Sequence, residues 1–232
     1  MLNDGHGVAH NGRVLLLAFD TATPAVTVAL RGDEGVLAEH TEVDARRHGE
    51  LLAPGIEKVL AEAGRSRTEL TGVAVGVGPG PFTGLRVGLM TARALGDALE
   101  IPVHGVCTLD ILAAAVTGRD APFAVATDAR RREVYWAGYD LTGRREGEPA
   151  VDRPAEIAER LAGRPVAGQG PRLYPEQFPA PLDPELPSAA VLADLVARLL
   201  AERPAALLPP LPLYLRRPDA VEPGARKPVS RA

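Results

Sequence analysis

Gly76-Val-Gly-Pro-Gly-Pro-Phe-Thr-Gly-Leu-Arg-Val-Gly88 decides how the rest of this chain is read. Five glycines and two prolines fall within thirteen residues. An apolar, strand-like run, Val73-Ala-Val75, comes directly before it, and a helix-like run from Leu85 to Leu99 overlaps its end. The segment is therefore a strand-to-helix turn in which backbone passes very close to something. Glycines there can expose backbone N–H groups to a phosphate at the helix N-terminus, or they can admit another stretch of chain. No Gly-Lys-Ser/Thr follows, so this is not a phosphate-binding Walker loop. Gly76, Gly78, Gly80 and Gly84, with Arg86 behind them, do not match the dinucleotide spacing either. From these residues alone, anion binding and tight packing both stay open.

Upstream, Val14–Phe19 reads as a strand, Val26–Leu30 as a second and Val36–Thr41 as a third, after a turn at Gly32-Asp-Glu-Gly35. A helix is expected over Glu50–Ala63, because Leu52, Ile56, Val59, Leu60 and Ala63 share one face. Pro54 is placed in its first turn and Gly64 at its end. Downstream, a turn is expected at Leu141–Gly147, a helix at Pro154–Leu161 and a strand at Pro165–Gly168. Pro171–Pro187 is too proline-rich to be regular, and Ser188 caps a helix running to Ala201.

Leu15-Leu-Leu-Ala-Phe-Asp20 and Phe123-Ala-Val-Ala-Thr-Asp128 align at an offset of 108, which also pairs Ala18 with Ala126, Val26 with Val134 and Ala29 with Ala137. Both copies run from an apolar strand to a terminal Asp, a short turn and a second strand. This grammar suggests two related α/β halves, each opening with a hairpin. It is the plan of the actin, hexokinase and Hsp70 superfamily. The expected organisation is an extension at 1–12 without order, a first half at 13–121, a second, reduced half at 122–217 and a flexible tail at 218–232.

Composition sets limits. Of 232 residues, 46% are hydrophobic and only 4% aromatic, so the core must be built from Ala, Val and Leu. A net charge of −4 argues against general coating of nucleic acid and leaves only local patches for RNA. One cysteine, Cys107, excludes a disulfide framework and points to the cytoplasm. No apolar run near the start is long enough to span a membrane, and no basic region precedes one as in a signal peptide.

Taken together, the glycine-rich turn, Ala18-Phe-Asp-Thr-Ala-Thr23, His48-Gly-Glu-Leu-Leu52, Asp128-Ala-Arg130, Glu133-Val-Tyr-Trp-Ala137 and Leu213-Tyr-Leu-Arg216 resemble the TsaB (YeaZ) family. Those proteins are the non-catalytic paralogues in bacterial synthesis of N6-threonylcarbamoyladenosine (t6A) on tRNA. The likeness covers roughly 14 to 217 and is weak from 141 to 210. Pro81 departs from it, standing where the family usually has Ser and so removing a hydroxyl and a backbone donor. The resemblance implies the actin-like fold and a subunit that binds and activates the TsaD transferase, with a TsaE-type ATPase joining the complex and tRNA reached through it. ATP would be used by the complex; this chain would hold no cofactor strongly, with weak nucleotide binding left open. A homodimer is expected for the chain alone.

The resemblance also fixes what to look for. TsaD proteins bind a metal through two histidines one helical turn apart, and the corresponding positions here are Thr108 and Leu112. No metal-ligating or catalytic residue is therefore expected. The Asp20 and Asp128 turns lack the glycines with which phosphotransferring relatives grip phosphates. Both points weigh against two alternatives, a stand-alone ATP-dependent phosphotransferase and an M22-type metallopeptidase; a third, a purely structural homodimer, stays open. His104 is expected at a strand end. His6 and His10 have metal-ligand spacing but lie in a glycine-flanked stretch. The three serines, Ser66, Ser188 and Ser230, lack a nucleophile context.

Gly84, Gly88, Ala92 and Gly96 recur every four residues and form a stripe without side chains, against which another helix could approach closely. The family pairs its subunits through this helix and the one before it. The expected partner interface is accordingly His48, Leu52, Ile56, Gly84, Gly88, Ala92 and Gly96, against the plainer reading that the preceding helix covers the stripe. For His48 the plainer reading is a solvated residue. Arg130, Arg131 and Arg132, with Arg216 and Arg217, are basic clusters. They read as a solvated face, or as tRNA phosphate contacts if the fold gathers them on one surface.

Overall fold

A computed structural model of the chain describes residues 14 to 216 apart from 119 and 162. The expected extension at 1–12, the tail at 218–232, His6, His10, Ser230 and Arg217 lie outside the described residues.

Two five-stranded sheets repeat one topology. The first has the order β3-β2-β1-β4-β5, from β1 (Leu16–Asp20), β2 (Ala25–Gly32), β3 (Gly35–Val43), β4 (Gly72–Gly76) and β5 (Val103–Val106). The second has the equivalent order β8-β7-β6-β9-β10, from β6 (Phe123–Asp128), β7 (Val134–Tyr139), β8 (Arg145–Asp152), β9 (Val166–Ala167) and β10 (Pro181–Leu182). In each, the first three strands are antiparallel and the last two join in parallel. This is the actin-like α/β fold expected from the sequence, and β9 and β10, two residues each, show how far the second half is reduced.

The repeat carries one correction. Asp20 pairs with Thr27, whereas Asp128 pairs with Val134. The second hairpin loop is one residue shorter, so Val134 is the counterpart of Thr27 and Trp136 that of Ala29. The ungapped offset holds for the first strand of each hairpin and slips on the second.

Both faces of β1 are buried, because its alternate residues enter two different cores. Leu17 and Phe19 face α1 (His48–Glu62) and α2 (Phe82–Leu99), while Leu16 and Ala18 face α6 (Ala189–Glu202). α6, which lies in the expected second half, thus packs on the first sheet. Ser188 caps it by accepting from the Val191 N–H at 3.2 Å, and the Thr27 hydroxyl oxygen accepts from the Ala189 N–H at 3.0 Å. Leu192 and Val196 are fully buried, each contributing about 1.5–3 kcal/mol.

α1 begins at His48, so Pro54 lies inside the helix rather than in its first turn. It withholds one N–H from the Glu50 carbonyl, and both residues are exposed, where water can replace that bond. Gly64, at φ +63°, closes the helix, with Arg65 N–H donating to the Leu60 carbonyl. The remaining helices are α3 (Thr108–Ala115), α4 (Pro154–Leu161) and a four-residue α5 (Gly170–Leu173). Together with β10, α5 is the only regular structure in the proline-rich stretch. Among the described residues no helix is long and apolar enough to cross a membrane.

Candidate functional site

The glycine-rich turn lies against the chain's own β1–β2 turn, and close packing accounts for its glycines. A Cβ on Gly76 would fall onto the Asp20 carboxylate, and one on Gly80 onto the Ala22 carbonyl. At Gly84 it would stand 2.5 Å from the Thr21 carbonyl oxygen, and at Gly88 2.5 Å from the Thr21 hydroxyl. That hydroxyl donates to the Gly84 carbonyl at 2.7 Å and accepts from the Gly88 N–H at 3.1 Å. A buried threonine thus bonds both members of one i, i+4 pair of α2.

Asp20 anchors the junction. It is fully buried, accepts from the Thr108 hydroxyl at 2.7 Å and accepts from the Ala22 N–H at 2.8 Å. Burial pushes its carboxyl above the ordinary range, against the opposing pull of these two bonds and of His48. The His48 Nε2–H donates to the Thr23 carbonyl at 2.7 Å, and His48 itself is buried. Four elements therefore meet on one polar knot: the β1–β2 turn, the glycine-rich turn, the start of α1 and the start of α3. Thr108 is committed to Asp20, and Leu112 is a core residue with no exposed surface. Neither position offers an imidazole, so a metal of the TsaD type does not fit these residues.

This geometry corrects the expected interface. His48, Leu52, Ile56, Gly84, Gly88, Ala92 and Gly96 are all buried within the chain. Gly84 and Gly88 face Thr21, and Gly96 faces Val103 of β5. A stripe of small residues reports that something comes close; here that something is the chain's own turn and strand. Two positions along a helix is about 200° of rotation, so the opposite face of α2 carries Phe82, Arg86, Met90, Ala94 and Ala98, all exposed. Met90 is 61% exposed. On α1 the exposed positions include Ala53, Glu57 and Ala61. The period-four pattern was legible, but not which of its two faces pointed outward.

The basic clusters do come together. Arg130, Arg131 and Arg216 line one cleft of about 440 Å3, together with Gly80, Pro81 and Phe82. Arg130, Arg131 and Arg132 occupy the β6–β7 turn with φ of 62°, 55° and 62°. Arg216 donates to the Ala129 carbonyl at 3.3 Å and pairs with Glu133, while Arg130 pairs with Asp128 at 3.2 Å. The segment ending at Arg216 acts as a strap. Leu213 N–H donates to the Val77 carbonyl at 2.8 Å. Tyr214 stacks on Phe82 with ring centroids 5.6 Å apart and accepts from Arg86 Nε–H at 3.0 Å. The Arg86 guanidinium also lies 3.7 Å from the centre of the Phe82 ring. Arg86 and Tyr214 are 128 residues apart, so nothing local in the glycine-rich turn signals their link. Pro81, the departure from the family pattern, is the N-cap of α2 and supplies no side-chain cap.

Comparison with known proteins follows from this fold. The family model for TsaD, tRNA N6-adenosine threonylcarbamoyltransferase, matches residues 35–208. The Escherichia coli tRNA threonylcarbamoyladenosine biosynthesis protein TsaB is 36% identical over 218 residues, covering 87% of this chain and 94% of that protein. The chain belongs to the TsaB (YeaZ) family. A Mycobacterium tuberculosis protein of uncharacterised function is 47% identical over 208 residues, covering 88% of this chain and 93% of its own length. Among solved structures, YeaZ from Pseudomonas aeruginosa superposes with a TM-score of 0.74 at 35% identity, covering 87% of this chain and all of that one. The TsaB relatives link this chain to t6A biosynthesis.

Proposed function

We propose that this chain is a non-catalytic subunit that binds and activates a TsaD-type transferase in forming t6A in the anticodon loop of tRNAs. The observation that carries the reading is the commitment of Thr108 and Leu112 to the interior, at the positions where the transferase holds its metal. The chain then contributes surface in place of chemistry. Its contact surface is the outward face of α2, centred on Met90, Ala94 and Ala98, all exposed. The same face serves the homodimer when the chain is alone. A TsaE-type ATPase completes the assembly, ATP is used by the complex, tRNA is reached through it, and this subunit holds no cofactor tightly. Its place is the cytoplasm.

Co-expression with the TsaD-type protein of the same organism tests this. The two should co-purify, and Met90→Glu should abolish the pairing while the variant keeps the wild-type melting temperature. ATP turnover by the purified chain alone, or an intact complex with Met90→Glu, would overturn the subunit role or its assigned surface respectively.

A further inference from the structure

The cleft between the glycine-rich turn, the β6–β7 turn and the strap has features that the pairing of subunits does not use. Its volume, about 440 Å3, lies within the roughly 300–1,000 Å3 of sites that enclose a small organic group. Its walls are largely apolar: Pro81, Phe82, Tyr135, Leu213, Tyr214 and Leu215. Phe82 and Tyr214 remain 47% and 39% exposed although stacked on each other. In a chain with only 4% aromatic residues, two exposed rings beside a concave wall are a marked concentration.

Arginines complete the site. Arg130, Arg131 and Arg216 line it, and Arg86 braces the aromatic pair. Two carboxylates, Asp128 and Glu133, engage Arg130 and Arg216. A guanidinium has five N–H donors; among the described residues Arg130 meets the Asp128 carboxylate, and Arg216 the Glu133 carboxylate and the Ala129 carbonyl. The three consecutive arginines are held in the left-handed region, which L-residues rarely occupy. Strained backbone of this kind collects at binding sites and switches.

Flat apolar walls with exposed aromatic rings suit a planar heterocycle, and arginines at the rim suit a phosphate. We propose that this cleft binds an unpaired nucleotide, its base against the Phe82–Tyr214 pair and its phosphate against Arg130 and Arg131. A duplex, whose bases are stacked and paired inside, cannot present one base to so small a hollow. The source of the nucleotide is an RNA loop; that part rests on the assignment to tRNA modification.

Fluorescence anisotropy of the full chain with a labelled RNA stem-loop, and with the same stem closed as a blunt duplex, tests the proposal. The stem-loop should bind more tightly. Phe82→Leu and Tyr214→Leu keep apolar volume but lose the ring face, and each should weaken loop binding roughly 5- to 100-fold, the loss that follows removal of one stacking aromatic. Arg130→Gln should lower the slope of log affinity against log salt by about one. Arg198→Gln, on α6 and away from the cleft, should change nothing. Thermal melts establish that each variant is folded. Binding of AMP without binding of the stem-loop would keep the nucleotide site and overturn the RNA source. Equal affinity for loop and duplex, or unchanged loop binding in folded Phe82→Leu and Tyr214→Leu, would overturn the site. Tyr214→Leu should still co-purify with the TsaD-type protein, which separates this proposal from the subunit role. Loss of that pairing with RNA binding intact would make the cleft a protein-docking site instead.

Discussion

Gly88→Ala offers the sharpest test of which way the small-residue stripe faces. In an exposed helix this change raises stability by up to about 1 kcal/mol, because alanine loses less backbone entropy than glycine. Here the new Cβ would stand 2.5 Å from the Thr21 hydroxyl, far inside van der Waals contact. Relief requires Thr21 to move, which strains both of its hydrogen bonds, to the Gly84 carbonyl and from the Gly88 N–H. Overpacking a core costs about 1–3 kcal/mol, and a buried hydroxyl left without partners about 1–3 kcal/mol more. The helix gain offsets only part of this, so the net loss is about 1–5 kcal/mol, at roughly 2–4 °C in Tm per kcal/mol for a chain of this size. The cycle with Thr21→Ala makes the argument specific. With the hydroxyl removed, the nearest obstacle to the Cβ is gone, and Gly88→Ala should become neutral or stabilising by up to about 1 kcal/mol. Calorimetric melts of the four proteins supply the numbers. A higher Tm for Gly88→Ala in the wild-type background would show that the stripe is open to solvent or to a partner, and the inward assignment of α2 would fall.

Cys107 is 1% exposed and burial pushes its thiol up to about 12, so iodoacetamide should leave the native chain unlabelled at mildly alkaline pH and label it fully in denaturant. Arg145→Met removes the partner of a half-buried carboxylate, Asp110, which Arg145 meets at 2.6 Å and the Tyr139 hydroxyl at 2.8 Å. A loss of about 1–2 kcal/mol is expected, measured by urea denaturation.

How far the sequence could be read depended on whether a signal was local. α1, α2 and α6 announce themselves by apolar spacing and by their ends: Gly64 after α1, and Ser188, whose hydroxyl bonds Val191 N–H, before α6. The first residues of β8 fall in the turn expected at Leu141–Gly147, and no strand is expected over the rest, because Arg145-Glu-Gly-Glu148 is polar and has no alternation. It is a strand only because β7 supplies a partner edge. The slipped repeat has a similar cause, since one residue fewer in a loop is invisible to an ungapped comparison. The inward turn of the glycine stripe depends on Thr21, more than sixty residues away, and no property of α2 alone points to it. The aromatic cluster is hidden in the same way: Phe82 and Tyr214 are far apart in sequence and meet only because the strap returns across the glycine-rich turn.

Asp20 gives the inward knot its energetic logic. A fully buried carboxylate is expensive in its charged form, and its folded-state pKa is accordingly raised. A group shifted upward contributes stability below its unfolded pKa and loses it as the pH rises through the folded value. At neutral pH the junction is therefore under electrostatic load, and the Thr108 hydroxyl, donating at 2.7 Å, carries part of it. Thr108→Val keeps the shape and deletes that donor. The cost should be about 1–3 kcal/mol at neutral pH, where the carboxyl is most ionised. It should shrink as the pH falls through the raised folded-state pKa, already above the ordinary carboxylate range near pH 4, because a neutral carboxyl depends less on the lost bond. Melting temperatures of wild type and variant across that range measure the difference directly. A deficit that stays constant with pH would mean that Thr108 acts by packing alone. The knot would then fix the position of α2 through shape, and the charge on Asp20 would have no part in holding that helix in place.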